Sequence, residues 1–371
     1  MRYILIENSN SPHEEGLLAL TGVLKALGHH VTVFLSAPQL RRGVSLGVDQ
    51  NADEVHGLSQ GSGIIEILRY RAAGDVVIYN TTSVRTSVFT LLTSLGRGRN
   101  VYYIRNANSW LNYSAHFTAV KDYLPRWIST TIKKFLLSRA HFVVVEFSRI
   151  KDYLATRSVV RADVVPFKLY TPRVRRPQHS GRVHFVVPGS IDFRTKNIEL
   201  LVHTLLQLPP NVRERIKITL LGRTSSAVEV ATCAAWQQVL GDGFVYYTSF
   251  VPVPDFTDAF ESADAVLSCF NVQHRCAHFN ETYGLSRGSG VAAHAFSRAL
   301  PLVVNEGFKI DDEYAPATRT FRDARELAEI YREFAMMPEA LEHLQAKAED
   351  AAKQYSLEKV IAKLSYMNGG V

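Results

Sequence analysis

The chain has 371 residues, of which 46% are hydrophobic and 21% charged, a composition typical of an ordinary globular protein that argues against intrinsic disorder. Its formal net charge of +7 favours acidic partners, namely phosphates, anionic lipid or nucleic acid. Three cysteines without C-x-x-C spacing support neither a disulfide framework nor a zinc ribbon, and they favour a reducing compartment.

Length and hydropathy bear on the number of domains and on membrane insertion. A single hydrophobic core rarely organises more than roughly 250–300 residues, so we expect two domains with a cleft between them. No apolar stretch approaches the roughly 20 residues of a membrane span, and the apolar run at the N-terminus is too short for a signal peptide. We therefore expect a cytoplasmic protein, with any membrane contact peripheral and at the inner membrane face.

The first half of the chain alternates predicted strands with predicted helices. After a buried strand, apolar residues from Leu17 to Leu27 recur at helical spacing, and Gly28 ends that helix before the next strand. Repeated strand-helix alternation predicts a parallel, doubly wound sheet. The predicted strands are 3–6, 31–35, 76–79, 101–104, 142–145 and 162–166, and the predicted helices are 17–27, 63–71, 83–95, 117–138 and 148–157.

The second half repeats this alternation after a break. Residues 168–182 contain prolines and arginines without apolar periodicity, so we place a linker there, after a first domain at 1–167. The second domain is predicted at 183–355. Ligands of such sheets bind at the carboxyl ends of the strands, so the site should face the cleft. The predicted strands are 183–187, 217–221, 245–248, 265–270 and 302–304, and the predicted helices are 197–207, 227–240, 255–262, 291–298, 322–334, 338–355 and 357–364.

Several common nucleotide signatures are absent from the sequence. The turn after the first strand, from Asn8 to Gly16, lacks the Gly-x-Gly-x-x-Gly pattern, which disfavours NAD or FAD. Walker-type and Gly-x-Ser-x-Gly motifs are also missing, which argues against P-loop phosphotransfer and an α/β-hydrolase.

Two loops of the second half have the chemistry of an anion site. The first carries Gly189, Arg194 and Lys196 directly before a predicted helix, where backbone N–H groups, the helix dipole and cations suit a diphosphate. A helix cap with solvated charges is the alternative. The second loop combines a carboxylate, glycines and an arginine before another helix, which suits sugar hydroxyls and phosphate oxygens, with a flexible connection as the alternative. Its residues are Glu281, Gly284, Arg287, Gly288, Ser289 and Gly290.

Three further features are weaker candidates. His13, beside two glutamates after the first strand, is a candidate base for an acceptor hydroxyl, or belongs to an acid-rich helix start. The spacing His274-x-Cys276-x-His278 invites a metal interpretation but lacks a fourth ligand, so a polar loop is the alternative. The stretch from Arg126 to Leu137 is basic and amphipathic, and either docks on anionic lipid or is a core-facing helix with a solvated basic side.

Six motifs, in order along the chain, resemble those of GT-B glycosyltransferases of the group-1, family-4 type. The segment G-H-H-V-T-V at 28–33 is similar to their G-H-x-V-x-V, and E-T-Y-G-L at 281–285 is similar to their E-G-F-G-L. The resemblance implies an α/β GT-B architecture, with two Rossmann-like doubly wound domains facing a cleft. The other matching segments are 140–148, 189–197, 220–222 and 250–268, and the sixth motif continues to Pro301–Val304.

The resemblance implies transfer of a sugar from a nucleoside-diphosphate sugar to a saccharide or lipid-linked acceptor, in surface polysaccharide or glycoconjugate synthesis, without a cofactor or metal ion. The first domain is then the acceptor side, the second binds the nucleotide sugar, and residues 356–371 pack back on the first. Lys196 would neutralise the diphosphate and Glu281 would bind the donor sugar. The remaining implied contacts are Gly189, Gly222, the Val251 backbone facing the base, Gly284, and the loop Arg287, Gly288, Ser289 and Gly290 at the phosphates.

The sequence also departs from the family pattern. The second Glu of the family's Glu-x7-Glu motif falls on Ser289, or on His294 when counted back from Pro301. Arg194 is a substitute for the family's usual arginine, whose position holds Ser190. Asn106 or Asn108 lies where many members carry a histidine near the sugar. The alternatives are therefore a glycosyltransferase acting on nucleic acid or a small metabolite, or a non-catalytic sugar-nucleotide-binding protein.

Overall fold

The computed structural model describes residues 1–9, 14–45, 47–59, 62–111, 120–172, 181–224, 226–276 and 279–368. Strands and helices alternate along most of this length. The strands are β1 Arg2–Glu7, β2 His30–Leu35, β3 Glu54–Gly57, β4 Val76–Tyr79, β5 Arg99–Ile104, β6 Phe142–Val145, β7 Ala162–Val164, β8 Val183–Pro188, β9 Ile216–Arg223, β10 Phe244–Tyr247, β11 Ala265–Ser268, β12 Gln273–Cys276, β13 Phe279–Thr282, β14 Leu302–Asn305 and β15 Thr318–Phe321.

Most helices follow the predicted apolar periodicity, but those at Ala37–Ser45, Asn108–Leu111 and Pro210–Arg213 were not predicted. Short 3-10 turns lie at Val48–Asn51, Gly241–Gly243, Asp312–Ala317 and Lys353–Tyr355. The α-helices are α1 Glu14–Ala26, α2 Ala37–Ser45, α3 Gly63–Tyr70, α4 Ser87–Ser94, α5 Asn108–Leu111, α6 Val120–Ser138, α7 Ser148–Ala155, α8 Ile198–Leu206, α9 Pro210–Arg213, α10 Ala227–Leu240, α11 Val253–Glu261, α12 Gly290–Arg298, α13 Ala324–Met336, α14 Pro338–Ala352 and α15 Leu357–Lys363.

The chain divides into two compact units. Unit 1 comprises Met1–Leu169, Arg275–Gly288 and Leu357–Val371, and unit 2 comprises Tyr170–His274 and Ser289–Ser356. The sequence prediction had included residues 275–288 in the second domain. They group with unit 1 because the segment after β13 forms hydrogen bonds to the loop that follows β5.

Unit 1 is built on a seven-stranded parallel sheet in the order β3-β2-β1-β4-β5-β6-β7. Its inner strands are continuous apolar runs because both faces of a parallel sheet are covered. Alternate strand residues form one core with α1 and α15, to which the C-terminal segment contributes Val360, Leu364 and Met367. Asp163 holds that segment by accepting hydrogen bonds from the amides of residues 365–367.

Unit 2 is built on a six-stranded parallel sheet in the order β10-β9-β8-β11-β14-β15. In each sheet the first strand of the unit lies between its second and fourth strands, so the strand order reverses there. These switch points, β1 beside β4 and β8 beside β11, are where doubly wound sheets open a crevice for ligands. The prediction of two parallel, doubly wound α/β sheets is confirmed.

Some elements were not predicted. Strands β3, β12 and β13 are short and mostly polar, so they give no apolar signal, and β15 carries two exposed residues out of four. The predicted loop at 280–290 was wrong at its start, because Asn280 and Glu281 lie in β13. The predicted strand at 265–270 ends at Ser268, because the following residues pair with the loop after β8 instead.

Candidate functional site

The backbone after β8 makes an unusually close approach to β9. Gly189 has a φ of +85°, a left-handed conformation that favours glycine. A Cβ atom on Gly222 would lie 2.0 Å from the carbonyl oxygen of Gly189. Both positions therefore require glycine, and together they hold the loop against the carboxyl end of the sheet.

Lys196 is buried in this loop and turns back onto its carbonyl groups. Its Nζ donates hydrogen bonds to the carbonyl oxygens of Pro188 (2.6 Å) and Ser190 (3.2 Å). Burial lowers the pKa of Lys196 to about 8, against the opposing charge of Asp192, so the ammonium is still mostly protonated at neutral pH. The result is a fixed positive charge at the end of β8.

The Lys196 loop is joined to the loops that follow the neighbouring strands. The amide of Asn197 donates to the carbonyl of Cys269 (2.8 Å), and Lys196 and Phe270 form an antiparallel bridge. Asn305 at the end of β14 exchanges two hydrogen bonds with the backbone of Phe270. The carboxyl ends of β8, β11 and β14 are therefore one connected edge, at the switch point of unit 2.

Asn271 and Asn305 are functional candidates that the sequence reasoning missed. Asn271 donates from its backbone to the carbonyl of Thr195 (3.0 Å) and from its side chain to the carbonyl of Arg194 (2.5 Å). The available signal was an asparagine at or just after the end of an apolar strand, where a sheet of this kind places its ligand contacts.

Arg194 lies on the outside of the same loop. Its side chain is 88% exposed, and its guanidinium forms a two-pronged pair with Asp192, with Nε–Oδ1 at 2.9 Å and Nη2–Oδ2 at 2.8 Å. A surface ion pair of this kind contributes little to stability. Arg194 can therefore exchange Asp192 for a ligand anion at small cost.

Helix α12 presents the second part of the predicted phosphate site. Ser289 precedes it in an extended conformation and Gly290 is its first residue. The first amides of a helix have no partner inside the helix and carry its positive dipole end, and Gly290 is exposed. The fold thus places free backbone donors at this position of unit 2.

His294, predicted as a substitute ribose ligand, is packed among aromatic rings. Its imidazole stacks on Phe260 at 4.9 Å, with Phe256 at 5.4 Å. The guanidinium of Arg298 lies over the ring of Phe260, 4.2 Å from the ring centre. The predicted role of His294 at the ribose stays a prediction.

Val251, between β10 and α11, lies beside Phe250, whose side chain is exposed.

The segment 279–288 is a tight turn packed within unit 1. Gly284 has a φ of +76°, and its amide donates to the carbonyl of Arg287 at 2.8 Å. The amide of Gly288 donates to the carbonyl of Arg105 at 3.2 Å, and Asn106 pairs with Arg287 in an antiparallel bridge. Both amides already have backbone acceptors in unit 1, and their use as phosphate donors stays a prediction.

Glu281 is almost fully buried in this segment. Its carboxylate oxygens accept hydrogen bonds from the amides of Asn108 (3.4 Å) and Ser109 (3.2 Å) at the start of α5. Burial raises the pKa of Glu281 to about 7, although these amides, Ser286 and the charge of Arg287 act in the opposite direction. Near neutral pH the group is therefore able to hold or release a proton.

Arg287 has spare donor capacity beside Glu281. Its guanidinium lies 4.9 Å from the centre of the Tyr283 ring, and its buried Nη1 atom has no hydrogen-bond partner among the residues that the structure describes. Burial raises the pKa of both Glu281 and Glu146, and the positive charge of Arg287 opposes that rise. A buried, unsatisfied guanidinium nitrogen is costly and fits a site that an anionic or hydroxyl-bearing ligand completes.

The switch point of unit 1 holds a network of buried charges that the sequence reasoning also missed. Glu7 accepts hydrogen bonds from Asn80 Nδ2 and Thr81 Oγ1, both at 2.6 Å. Arg105 donates to the Asn80 carbonyl (2.6 Å), and its Nε lies 3.0 Å from Glu146 Oε1. Burial raises the pKa of Glu146, against the charge of Arg105. The available signal was a charged residue ending or directly following an apolar strand.

The predicted site residues thus fall in both units. Unit 2 contains Gly189, Arg194, Lys196, Gly222, Val251, Ser289, Gly290 and His294, and unit 1 contains Asn106, Glu281, Gly284, Arg287 and Gly288. Asn108 is the alternative to Asn106. Both ends of its side-chain amide already form hydrogen bonds within the protein: Oδ1 accepts from Tyr153 (2.5 Å) and Nδ2 donates to the carbonyl of Asn280 (2.7 Å).

Two predictions lie outside the described residues. His13 belongs to the undescribed segment 10–13, and the side chains of the His274, Cys276 and His278 motif are likewise not described. Within the described ranges, no group of three or more His, Cys, Asp or Glu side chains is arranged to hold a metal ion. In the same ranges, no helix has the length and apolar character that crossing a membrane requires.

Comparison with known proteins gives structural matches only: no family model and no curated protein sequence matches the chain. The Anabaena protein HepE, solved in complex with UDP, is 14% identical with a TM-score of 0.67 over 98% of both chains. A glycosyltransferase from Rickettsia africae is 12% identical with a TM-score of 0.65, covering 98% of this chain and 96% of its own. The pneumococcal O-GlcNAc transferase GtfA, solved with UDP and GlcNAc, is 9% identical with a TM-score of 0.65 over 98% and 97%. The chain has the GT-B fold, as predicted.

Proposed function

We propose that the chain is a glycosyltransferase that transfers a sugar from a nucleoside-diphosphate sugar to a saccharide or lipid-linked acceptor. The observation that carries the proposal is the buried cation of Lys196 at the switch point of unit 2, held in a loop whose glycines permit a close backbone approach. HepE and GtfA were solved with UDP, so UDP-sugars are the first donors to test.

The chemistry of the reaction matches these groups. Departure of a nucleoside diphosphate leaves negative charge on its oxygens, and fixed cations and N–H groups stabilise that charge in the transition state. Lys196 supplies a cation that is already desolvated, and the first amides of α12 supply dipoles oriented toward an anion. We propose that these groups act without a metal ion, so activity should survive chelation with EDTA.

Glu281 and Arg287 are proposed as sugar-binding or phosphate-binding residues of the same reaction. The carboxylate of Glu281 is held by two amides and retains acceptor capacity, since a carboxylate accepts more than two hydrogen bonds. The buried Nη1 of Arg287 has no hydrogen-bond partner within the described part of the chain. In the resemblance to family members Glu281 is the sugar contact, and its raised pKa suits a group that exchanges hydrogen bonds with hydroxyls.

The test is release of nucleoside diphosphate from a panel of sugar nucleotides, with and without saccharide and lipid-linked acceptors. Lys196→Ala should lower kcat/KM by about 100-fold, the usual effect of removing one preorganised charge-stabilising group. Lys347→Ala, on the exposed side of α14, is the matched control and should retain full activity. Equal kcat/KM in the two variants would show that Lys196 does not take part in the reaction.

A non-catalytic sugar-nucleotide-binding protein is the second candidate. The observation that favours it is Ser289, which stands where family members carry a second glutamate and starts helix α12 with a hydroxyl that makes no cap hydrogen bond. Tight donor binding without turnover of any donor in the panel would select this candidate over the enzyme.

A further inference from the structure

Helix α6 buries Ile132, Leu136 and Leu137 and also carries apolar residues on its exposed side. Leu124, Trp127, Ile128 and Phe135 share one helical stripe and are exposed, with 46% of Trp127 open to solvent. The opposite stripe, which faces the interior, carries Lys133, whose Nζ donates to Ser109 Oγ at 3.3 Å. The predicted core-facing side of α6 is present, because Ile132, Leu136 and Leu137 are buried, but the predicted solvated basic side is not, because Lys133 is buried and a second apolar stripe is exposed.

Helix α4, which lies next to α6, and helix α3, which lies next to α4, also expose apolar residues. Helix α3 contacts α4, and α4 contacts α6. Val88, Leu92 and Leu95 form an exposed stripe along and just beyond α4, and Ile65 and Leu68 are exposed on α3. Single exposed apolar residues are ordinary, whereas stripes on three adjacent helices mark an interaction surface. We call this surface, formed by the outer stripes of α3, α4 and α6, the apolar face.

Cations are interleaved with the apolar face. Arg85 is three residues before Val88, and Arg139 lies four residues after Phe135 with its guanidinium 4.9 Å from that ring centre. Arg69 follows Leu68, and all three arginines are exposed. The sequences of the three helices carry five basic residues against two acidic ones, although one of the five, Lys133, is buried on the inner side of α6 and does not belong to the apolar face.

We propose that the apolar face docks on the surface of an anionic lipid bilayer. Leu, Ile, Phe and Trp side chains bury apolar area at the boundary between headgroups and acyl chains, where Trp is favoured, and the arginines contact anionic headgroups. A second copy of the chain is a poorer occupant, because a two-fold interface would bring the same arginines against one another. The proposal stands whether or not the chain transfers a sugar.

The tryptophans of the chain provide a direct assay. The sequence has three, of which Trp110 and Trp236 are buried and Trp127 is exposed. Adding vesicles of phosphatidylcholine and phosphatidylglycerol to the full chain should shift its tryptophan emission to shorter wavelength, because only Trp127 changes its surroundings. Trp127→Phe keeps an apolar side chain there and should bind the same vesicles in a sedimentation assay without the emission shift.

Charge placed on the apolar face should prevent docking. Leu92→Asp combined with Leu95→Asp should lower vesicle binding by about tenfold or more, since each side chain contributes on the order of the free energy of burying a leucine. Val228→Asp combined with Val239→Asp, at exposed positions of α10 in unit 2, is the matched control and should bind like wild type. Pure phosphatidylcholine vesicles should bind more weakly than the anionic ones.

Three results would overturn the proposal. The first is absence of both the emission shift and sedimentation with anionic vesicles. The second is equal loss of binding in the α10 control, which would mean that the effect is not local to the apolar face. The third is a wild-type dimer that the Leu92→Asp, Leu95→Asp variant converts to a monomer without any vesicle binding, which would assign the apolar face to a second copy of the chain.

Discussion

The switch points of the two units share a topology and differ in chemistry. In unit 1, the guanidinium of Arg105 pairs directly with Glu146 and donates to Asn80 and Thr81, which in turn donate to Glu7, so each buried charge has a partner within the protein. In unit 2, the ammonium of Lys196 is bonded to two carbonyl oxygens, and Asp192 is the charge that supports it.

This difference indicates that the charges at the switch point of unit 1 stabilise the fold, whereas Lys196 in unit 2 is available to bind a ligand. A network whose charges are paired loses stability when one member is removed, because the partner is left buried and uncompensated. Among the described residues, Lys196 is hydrogen-bonded only to neutral carbonyls, and the carboxylate of Asp192 is also paired with Arg194, so this loop keeps a net positive charge that can attract an anion. The comparison therefore predicts large stability effects in unit 1 and large ligand effects in unit 2.

The largest expected effect is that of Arg105→Leu on unit 1. Removing the guanidinium leaves Glu146 buried without its partner, so we expect a loss of about 3–5 kcal/mol in the free energy of unfolding. Hydrogen exchange of the amides in β1, β4 and β5 measures this locally. Arg41→Leu, at an exposed position of α2, should change the same amides by less than about 0.5 kcal/mol. A similar loss of unfolding free energy in Arg105→Leu and Arg41→Leu would show that the paired charges of unit 1 have no special structural role.

The next effect is a pH dependence that arises from Glu281. Its pKa is raised from 4.5 to about 7 in the folded protein, so the folded state binds the proton more tightly than the unfolded state does. The stability contributed by this proton is present below the ordinary pKa and is lost as the pH rises through the folded pKa. Glu281→Gln should therefore gain stability relative to wild type between pH 4.5 and pH 7, by about 3 kcal/mol at most.

Urea unfolding of both proteins across that pH range measures the Glu281 effect. The difference between wild type and Glu281→Gln cancels the titrations that the two proteins share. A difference that stays constant with pH would mean that Glu281 is ionised at its ordinary pKa in the folded protein.

A smaller effect is expected at the close approach of the two backbones in unit 2. Gly222→Ala places a Cβ atom against the Gly189 carbonyl, and the displacement should cost about 1–3 kcal/mol of unit 2 stability. Gly22→Ala is the matched substitution in open space within α1 and should stabilise unit 1 by about 0.5–1 kcal/mol. Thermal unfolding monitors both, and a stable Gly222→Ala protein would show that the loop has room to move.

Much of the fold could be predicted from the sequence because apolar runs such as that of β6 are buried on both faces and appear directly as strands. The polar strand pair β12 and β13 carried no such signal. The location of Lys196 followed from a local pattern, a glycine turn before a helix. The partners of Glu281 did not, because Asn108 and Ser109 are more than 170 residues away along the chain.

The apolar face could not be predicted from the sequence either, because it also depends on contacts between distant segments. The amphipathic pattern of α6 was visible in the sequence, but a pattern does not say which stripe faces inward. In the structure Lys133 is buried beside Leu136 and Leu137, and its contact with Ser109 depends on where α5 lies.

The central claim is that Lys196 is a ligand-binding cation rather than a structural one. Lys196→Met keeps most of the side-chain volume, and its effect on unit 2 stability should be about 1 kcal/mol, because lost hydrogen bonds and relieved desolvation offset each other. Calorimetric titration with UDP should give about 100-fold weaker binding for Lys196→Met, the cost of removing a buried charged donor, and unchanged binding for Lys347→Met. Equal UDP affinity in wild type and Lys196→Met would contradict the claim.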